Sequence, residues 1–120
     1  MLTRLWTTRL SPGAGPAYDA FANSRSRPMF AALPGCLGAV FFGTGDTRFV
    51  LSLWSDQASI DALERNPLYT RTVQSFLATG ALAEPQTTLV QEVTGGTMDL
   101  VALAHTVLGP DGNPEPDERP

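Results

Sequence analysis

The chain has no lysine at all; its eight basic residues are all arginines, spaced along the sequence without a basic stripe or cluster. The electrostatic footprint of a nucleic-acid-binding surface is therefore missing. There is one cysteine, Cys36, which excludes an internal disulfide and a multi-cysteine metal site. There is one histidine, His105. No metal-ligand cluster and no nucleotide-binding motif occurs; the Gly-rich "GTGD" lacks the strand–loop–helix setting of a phosphate loop. No segment approaches the 18 or so apolar residues needed to span a bilayer. The N-terminal "MLTRLWTTRL" alternates instead of forming an apolar run, so it does not read as a signal peptide. The default expectation is a soluble, cytoplasmic protein.

A length of 120 residues predicts one domain, and an apolar fraction of 42% suffices for a core. A chain this short buries only about two thirds of its unfolded surface, so association would help it. The formal charge is −4, much of it in residues 109–120, "GPDGNPEPDERP", which carry four acids and one arginine. That Pro-rich acidic stretch reads as a flexible tail.

Residues 2–9, "LTRLWTTR", alternate and predict a strand, with Leu2, Arg4, Trp6 and Thr8 on one side and Thr3, Leu5, Thr7 and Arg9 on the other. "SPGAGP" turns the chain, and Pro16 suits the first position of a helix. Tyr18, Phe21 and Arg25 then share one helical face. Pro28 should end or kink this helix, leaving "MFAALPG" as an irregular bridge. Residues 36–42 and 48–54 are strand-like around a Gly-rich turn, a β-hairpin. Ser55 or Asp56 can cap the next helix, which carries Ile60 and Leu63. Asn66-Pro67 restarts a helix with Tyr69, Val73, Phe76 and Leu77 as its buried stripe, and Gly80 stops it. Residues 86–93 are a last strand. The order β-α-β-β-α-β predicts an α+β fold, the ferredoxin-like split βαβ plait. We expect this domain to occupy residues 1–94. A C-terminal extension, 95–108, follows; its Met98, Val101, His105 and Leu108 fit a helix, with a short fifth strand as the alternative.

In "RFVLSLW" both alternating sets are largely apolar: Phe49, Leu51 and Leu53 on one side, Val50 and Trp54 on the other. A sheet wetted on one face should alternate cleanly. Two helices cover one face only, so the other should meet a second copy of the sheet, giving a homodimer.

The stretches "PGCLGAVFF", with Pro34-Gly35 and Gly38, and "FVLSLWSDQASIDALERNPLY" resemble the antibiotic-biosynthesis-monooxygenase type of dimeric α+β barrel. "ATGAL" and the last strand fit as well. The resemblance implies a pocket between sheet and helices and admits oxygenases of polyketide quinols, haem-degrading oxygenases and proteins of unknown role. The haem-degrading branch places an Asn, a Trp and a His where this chain has Trp6, Ala62, and Thr72 or Val73. Haem degradation is therefore not expected, and no cofactor is implied.

Trp54 reads as packing near the helix junction. Trp6 is either core or a donor to a ligand oxygen through its indole N–H. Tyr69 either staples its helix to the sheet or turns its hydroxyl into the cavity. Tyr18, Phe21 and Arg25 share the first helix face, with Arg25 at a pocket mouth; Arg27 and Arg71 face solvent. His105 would serve as a general base only if the C-terminal segment folds back, onto this chain or the partner. Cys36 reads as a small buried thiol. Two functions stand side by side. One is a cofactor-independent monooxygenase that grips a planar aromatic or polyketide-like substrate, with Tyr69 and His105 as catalytic residues and Trp6, Tyr18, Phe21 and Arg25 as ligand-binding residues. The other is a non-catalytic ligand-binding or structural homodimer. A cavity of a few hundred Å³ with convergent polar groups favours the enzyme; one filled by Trp6, Phe21 and Phe76 opposes it.

Overall fold

A computed structural model describes residues 1–83 and 85–106. The expected acidic tail, residues 109–120, lies outside them. The alternating N-terminal segment forms strand β1, Leu2–Arg9. The hairpin pairs β2, Cys36–Thr44, with β3, Thr47–Trp54. Its two loop residues are Gly45 and Asp46, and Gly45 has φ +58°, as a type II′ turn asks of its first position. Strand β4, Thr87–Glu92, closes the set. All pairings are antiparallel and the order is β2-β3-β1-β4, so the split βαβ reading holds.

Helix α1, Gly15–Phe21, starts with proline in its first turn, as the sequence indicates. Pro28 does not break the chain into an irregular bridge, however. A π turn, Ala22–Ser26, leads into α2, Arg27–Ala32. Proline has no N–H to donate, and the wider π turn removes the steric conflict with the preceding turn. The Asn23 carbonyl instead accepts Arg27 Nη2 at 2.8 Å. Helix α3, Gln57–Asp61, is capped by Asp56, whose Oδ1 accepts Ser59 N at 2.9 Å and Ser59 Oγ at 2.7 Å. Those two bonds favour the ionised carboxyl and lower its pKa. Gly35 (φ +78°) sits against α3 so closely that a β-carbon would overlap the Ser59 side chain. After a 3₁₀ turn, Leu63–Arg65, helix α4 runs Pro67–Leu77. Asn66 caps it, Oδ1 accepting Leu68 N at 2.9 Å and Tyr69 N at 3.3 Å. Residues 95–106, ambiguous in sequence, contain helix α5, Leu100–Thr106, and not a fifth strand.

Both crossovers lay their helices on one face of the sheet. Met29, Phe30, Leu33, Val50, Trp54 and Leu63 form one core cluster there. Leu10, Tyr18, Ala22, Phe76 and Ala81 form a second. Trp54 is wholly buried, and its Nε1 donates to Ser52 Oγ at 2.8 Å. A bidentate pair, Arg48 Nε to Asp19 Oδ1 at 2.9 Å and Nη2 to Oδ2 at 3.1 Å, ties the hairpin to α1. Two sequence expectations need correction. Leu77 is exposed, because Thr72, with its hydroxyl returned to the Leu68 carbonyl at 2.8 Å, takes the buried place beside Phe76. Cys36 is half-buried at the sheet edge; partial burial still raises the thiol pKa.

Helices α1 to α4 leave the opposite face of the sheet uncovered. The register aligns Val40, Leu51, Leu5 and Leu89 in one row across all four strands. Beside it Phe42 and Phe49 stack at 5.0 Å. Val40, Phe42 and Leu89 are each 44–52% exposed.

A candidate ligand-binding cleft between sheet and helices

Side chains at alternate positions of β1 point to the same face. Arg4 and Trp6 therefore project under the helices beside Val50 of β3. Tyr18 and Phe21 on α1, Ser26, Met29, Phe30, and Tyr69, Thr72, Val73 and Phe76 on α4 complete the walls, with Gln86 at the rim. The cleft is half open, with a cavity volume of about 70 Å³; counting the part open to solvent, the empty space is about 560 Å³.

Aromatic rings narrow it. Trp6 stacks on Tyr18 at 6.4 Å and meets Phe76 edge-on at the same distance. Tyr18 and Phe21 each touch Phe76, at 5.3 and 5.4 Å. Burial raises the Tyr18 hydroxyl pKa to about 12; Asp19 adds to this and Arg48, over the ring at 6.0 Å, opposes it.

Two polar pairs stand among the rings. Arg4 Nη2 donates to the Tyr69 hydroxyl at 3.2 Å, and its guanidinium lies 6.0 Å from the Tyr69 ring centroid. Trp6 Nε1 donates to Gln86 Oε1 at 2.8 Å. Gln86 is exposed, so that bond sits at the water boundary. Among the described residues the lining contains no aspartate or glutamate.

The structure thus brings Trp6, Tyr18, Phe21 and Tyr69 together. It does not bring Arg25 with them. The π turn resets the helical face, so Ser26 lines the cleft while Arg25 turns outward. Arg25 lies over Phe21 at 5.5 Å, reaches Ser75 Oγ at 3.3 Å and borders an adjoining groove with Arg71. His105 belongs to α5, and its side chain is outside the described part of the molecule. Of the positions matched to haem-degrading relatives, Trp6, Thr72 and Val73 line the cleft, and Ala62 lies elsewhere. Among the described residues, no group of three or more His, Cys, Asp or Glu could hold a metal ion. Sequence reasoning missed Arg4 and Gln86. Arg4 carried a usable signal, its alternation with Trp6; Gln86, a polar residue just before a strand, carried none.

No protein-family model matches the chain, and no curated protein matches it. Solved structures do. A protein of unknown function from Nitrosomonas europaea is 20% identical, with a TM-score of 0.68 over 82% of this chain and 93% of that one. An antibiotic biosynthesis monooxygenase is 19% identical, TM-score 0.61, over 79% and 100%. A monooxygenase from Streptomyces coelicolor, in complex with the ligand nanaomycin D, is 13% identical, TM-score 0.66, over 82% and 91%. At these identities the likeness is one of fold. The chain has the α+β, ferredoxin-like fold of the antibiotic biosynthesis monooxygenase structures, a fold that proteins of unknown function share.

Proposed function

We propose that the cleft binds an electron-rich aromatic or polyketide-like molecule and that the chain is a cofactor-independent monooxygenase. The observation that carries this reading is the convergence of two polar pairs, Arg4–Tyr69 and Trp6–Gln86, on an aromatic-lined cleft between sheet and helices. Binding sites of this kind are largely apolar, with a few polar groups that fix orientation. The likeness in fold to structures named monooxygenases adds support.

In this chemistry the substrate is its own reductant. A substrate anion passes one electron to O₂; the substrate radical and superoxide then join in a C–O bond. The hydroperoxide loses water to leave a carbonyl, so the balance is R₂CH₂ + O₂ → R₂C=O + H₂O. The protein has to hold the ring, favour the anion and keep bulk water away from the reacting carbon. Trp6, Tyr18 and Phe21 hold the ring; Tyr69 faces the anion. The experiment is oxygen uptake with a panel of quinols and anthrones, with chelator present and no flavin added. The expected result is O₂ consumption matched one to one by quinone that carries one oxygen atom from O₂, with no hydrogen peroxide released.

One observation favours a second reading. The cavity volume of about 70 Å³ falls well below the roughly 300–1,000 Å³ of most small-molecule sites. A non-catalytic ligand-binding or structural homodimer would need nothing larger. Absence of oxygen uptake with every quinol and anthrone would select it.

Either reading includes a homodimer formed through the bare sheet faces. Leu5, Val40, Phe42, Leu51 and Leu89 supply an apolar surface of the kind that marks an interaction site. Light scattering at micromolar concentration should give twice the 12.8 kDa chain mass. A monomer mass there would remove the dimer. Among the described residues no helix is long and apolar enough to cross a membrane, and a cytoplasmic location goes with this proposal.

A further inference from the structure

We propose that Arg4 is the anion-binding residue of the cleft, and that its occupant is a planar aromatic molecule bound through an anionic oxygen, a phenolate, enolate or carboxylate. This rests on the reading of the cleft as a ligand site, but not on any oxidation there.

Arg4 is half-buried on the helix-covered face of the sheet. Withdrawing a guanidinium from water is costly unless it is paired and hydrogen-bonded. Among the described residues its partners are the Tyr69 hydroxyl and the Tyr69 ring, neither of which carries a negative charge. Other arginines differ. Arg48 is matched to Asp19 by two bonds, and Arg27 and Arg25 are held by a carbonyl and a serine hydroxyl away from the cleft. With no aspartate or glutamate among the described residues of the lining, Arg4 is a positive charge set against an aromatic wall and matched by no described carboxylate.

The hydrogen bonds point the same way. The Tyr69 oxygen accepts from Arg4, which leaves its own hydrogen free to donate. Trp6 Nε1 is held by exposed Gln86, a partner that an incoming oxygen can replace without burying an orphan group. Guanidinium, phenol O–H and indole N–H are all donors, and among the described side chains of the lining only neutral oxygens compete for them. A neutral aromatic guest would fit the rings and leave the charge unmatched. An anionic one answers both.

Two probes separate charge from shape: 2-naphthoate and its neutral isostere 2-naphthamide, followed by tryptophan fluorescence at pH 7. Wild-type protein should bind naphthoate at least tenfold more tightly than naphthamide. Arg4→Gln should abolish that preference and leave naphthamide affinity within about threefold. Arg4→Lys should restore part of it, since a point charge replaces a forked one. A second measurement needs no variant. Naphthoate, and not naphthamide, should protect Arg4 from phenylglyoxal, read by mass spectrometry of the wild-type chain. Failure of either probe to bind, equal affinity for the two, or a preference that survives Arg4→Gln overturns the assignment. The monooxygenase reading fails separately. An Arg4-dependent anion preference without oxygen uptake removes the oxidation and keeps the site. Oxygen uptake without that preference removes Arg4 and keeps the oxidation.

Discussion

The two tryptophans make the same hydrogen bond at two places on the sheet's helix-covered face, Trp54 at a strand end and Trp6 in mid-strand. Each indole N–H donates to an oxygen at 2.8 Å. Trp54 donates inward to Ser52, whose hydroxyl in turn donates to the Arg4 carbonyl at 3.3 Å. Trp6 donates outward to exposed Gln86. The surroundings differ in the same sense. Around Trp54, Met29, Phe30, Leu33, Val50 and Leu63 fill the space, mostly with branched and flexible chains, and Met29, Phe30 and Val50 reach on to the cleft wall. Around Trp6, the rings of Tyr18, Phe21 and Phe76 meet face to edge, and the void lies there. Flexible side chains adapt to gaps, whereas rigid rings define them. One place is closed by its own residues; the other is completed at its rim by a group that a ligand can replace.

The comparison breaks most visibly at Trp54. Trp54→Ala should cost about 3–5 kcal/mol, as other large-to-small core substitutions do. Denaturant unfolding measures it, and a midpoint equal to wild type would remove the closed site from the account. On the bare face, Leu51→Arg places a charge in the centre of the apolar row. Light scattering should then report the 12.8 kDa monomer, and a persistent dimer would move the interface elsewhere.

A smaller effect lies in pH. Tyr18 is raised to about 12 from an ordinary value of 10.0, chiefly by burial. The folded state therefore holds its proton where the unfolded state has lost it. This stability is complete below about pH 10 and is lost as pH rises through about 12, up to roughly 2–3 kcal/mol in all. Thermal melts across that range should fall more steeply for wild type than for Tyr18→Phe. Smallest of all, Trp6→Phe keeps most of the ring and removes a donor that water can serve. Its cost should stay within about 1 kcal/mol, so a loss like that of Trp54→Ala would erase the contrast.

Much of this architecture is legible in the sequence. Alternation marks β1, the Gly-Asp loop marks the hairpin, and Asn66-Pro67 marks the start of α4, because each is a local signal. The π turn is not legible, since Pro28 reads as a stop unless the turn before it is known to widen. That one inserted turn also moved Arg25 out of the cleft and brought Ser26 in. Arg4 was visible on the Trp6 side of β1, yet an arginine on a strand gives no hint that a tyrosine from α4 will cover it. The contact joins residues 65 positions apart. Leu77 failed for a different reason. Helical spacing admits it to the stripe, but the hydroxyl of Thr72 is satisfied within the helix and can be buried in its place.

The chain has two tryptophans, hence two indole N–H resonances, and these report both places in one spectrum. Titration of ¹⁵N-labelled protein with 2-naphthoate tests the account most directly. The Trp6 resonance should move progressively and saturate as Gln86 is displaced, while the Trp54 resonance stays in place. Movement of the Trp54 signal alone, or of neither signal, would contradict the assignment of the cleft as the ligand site.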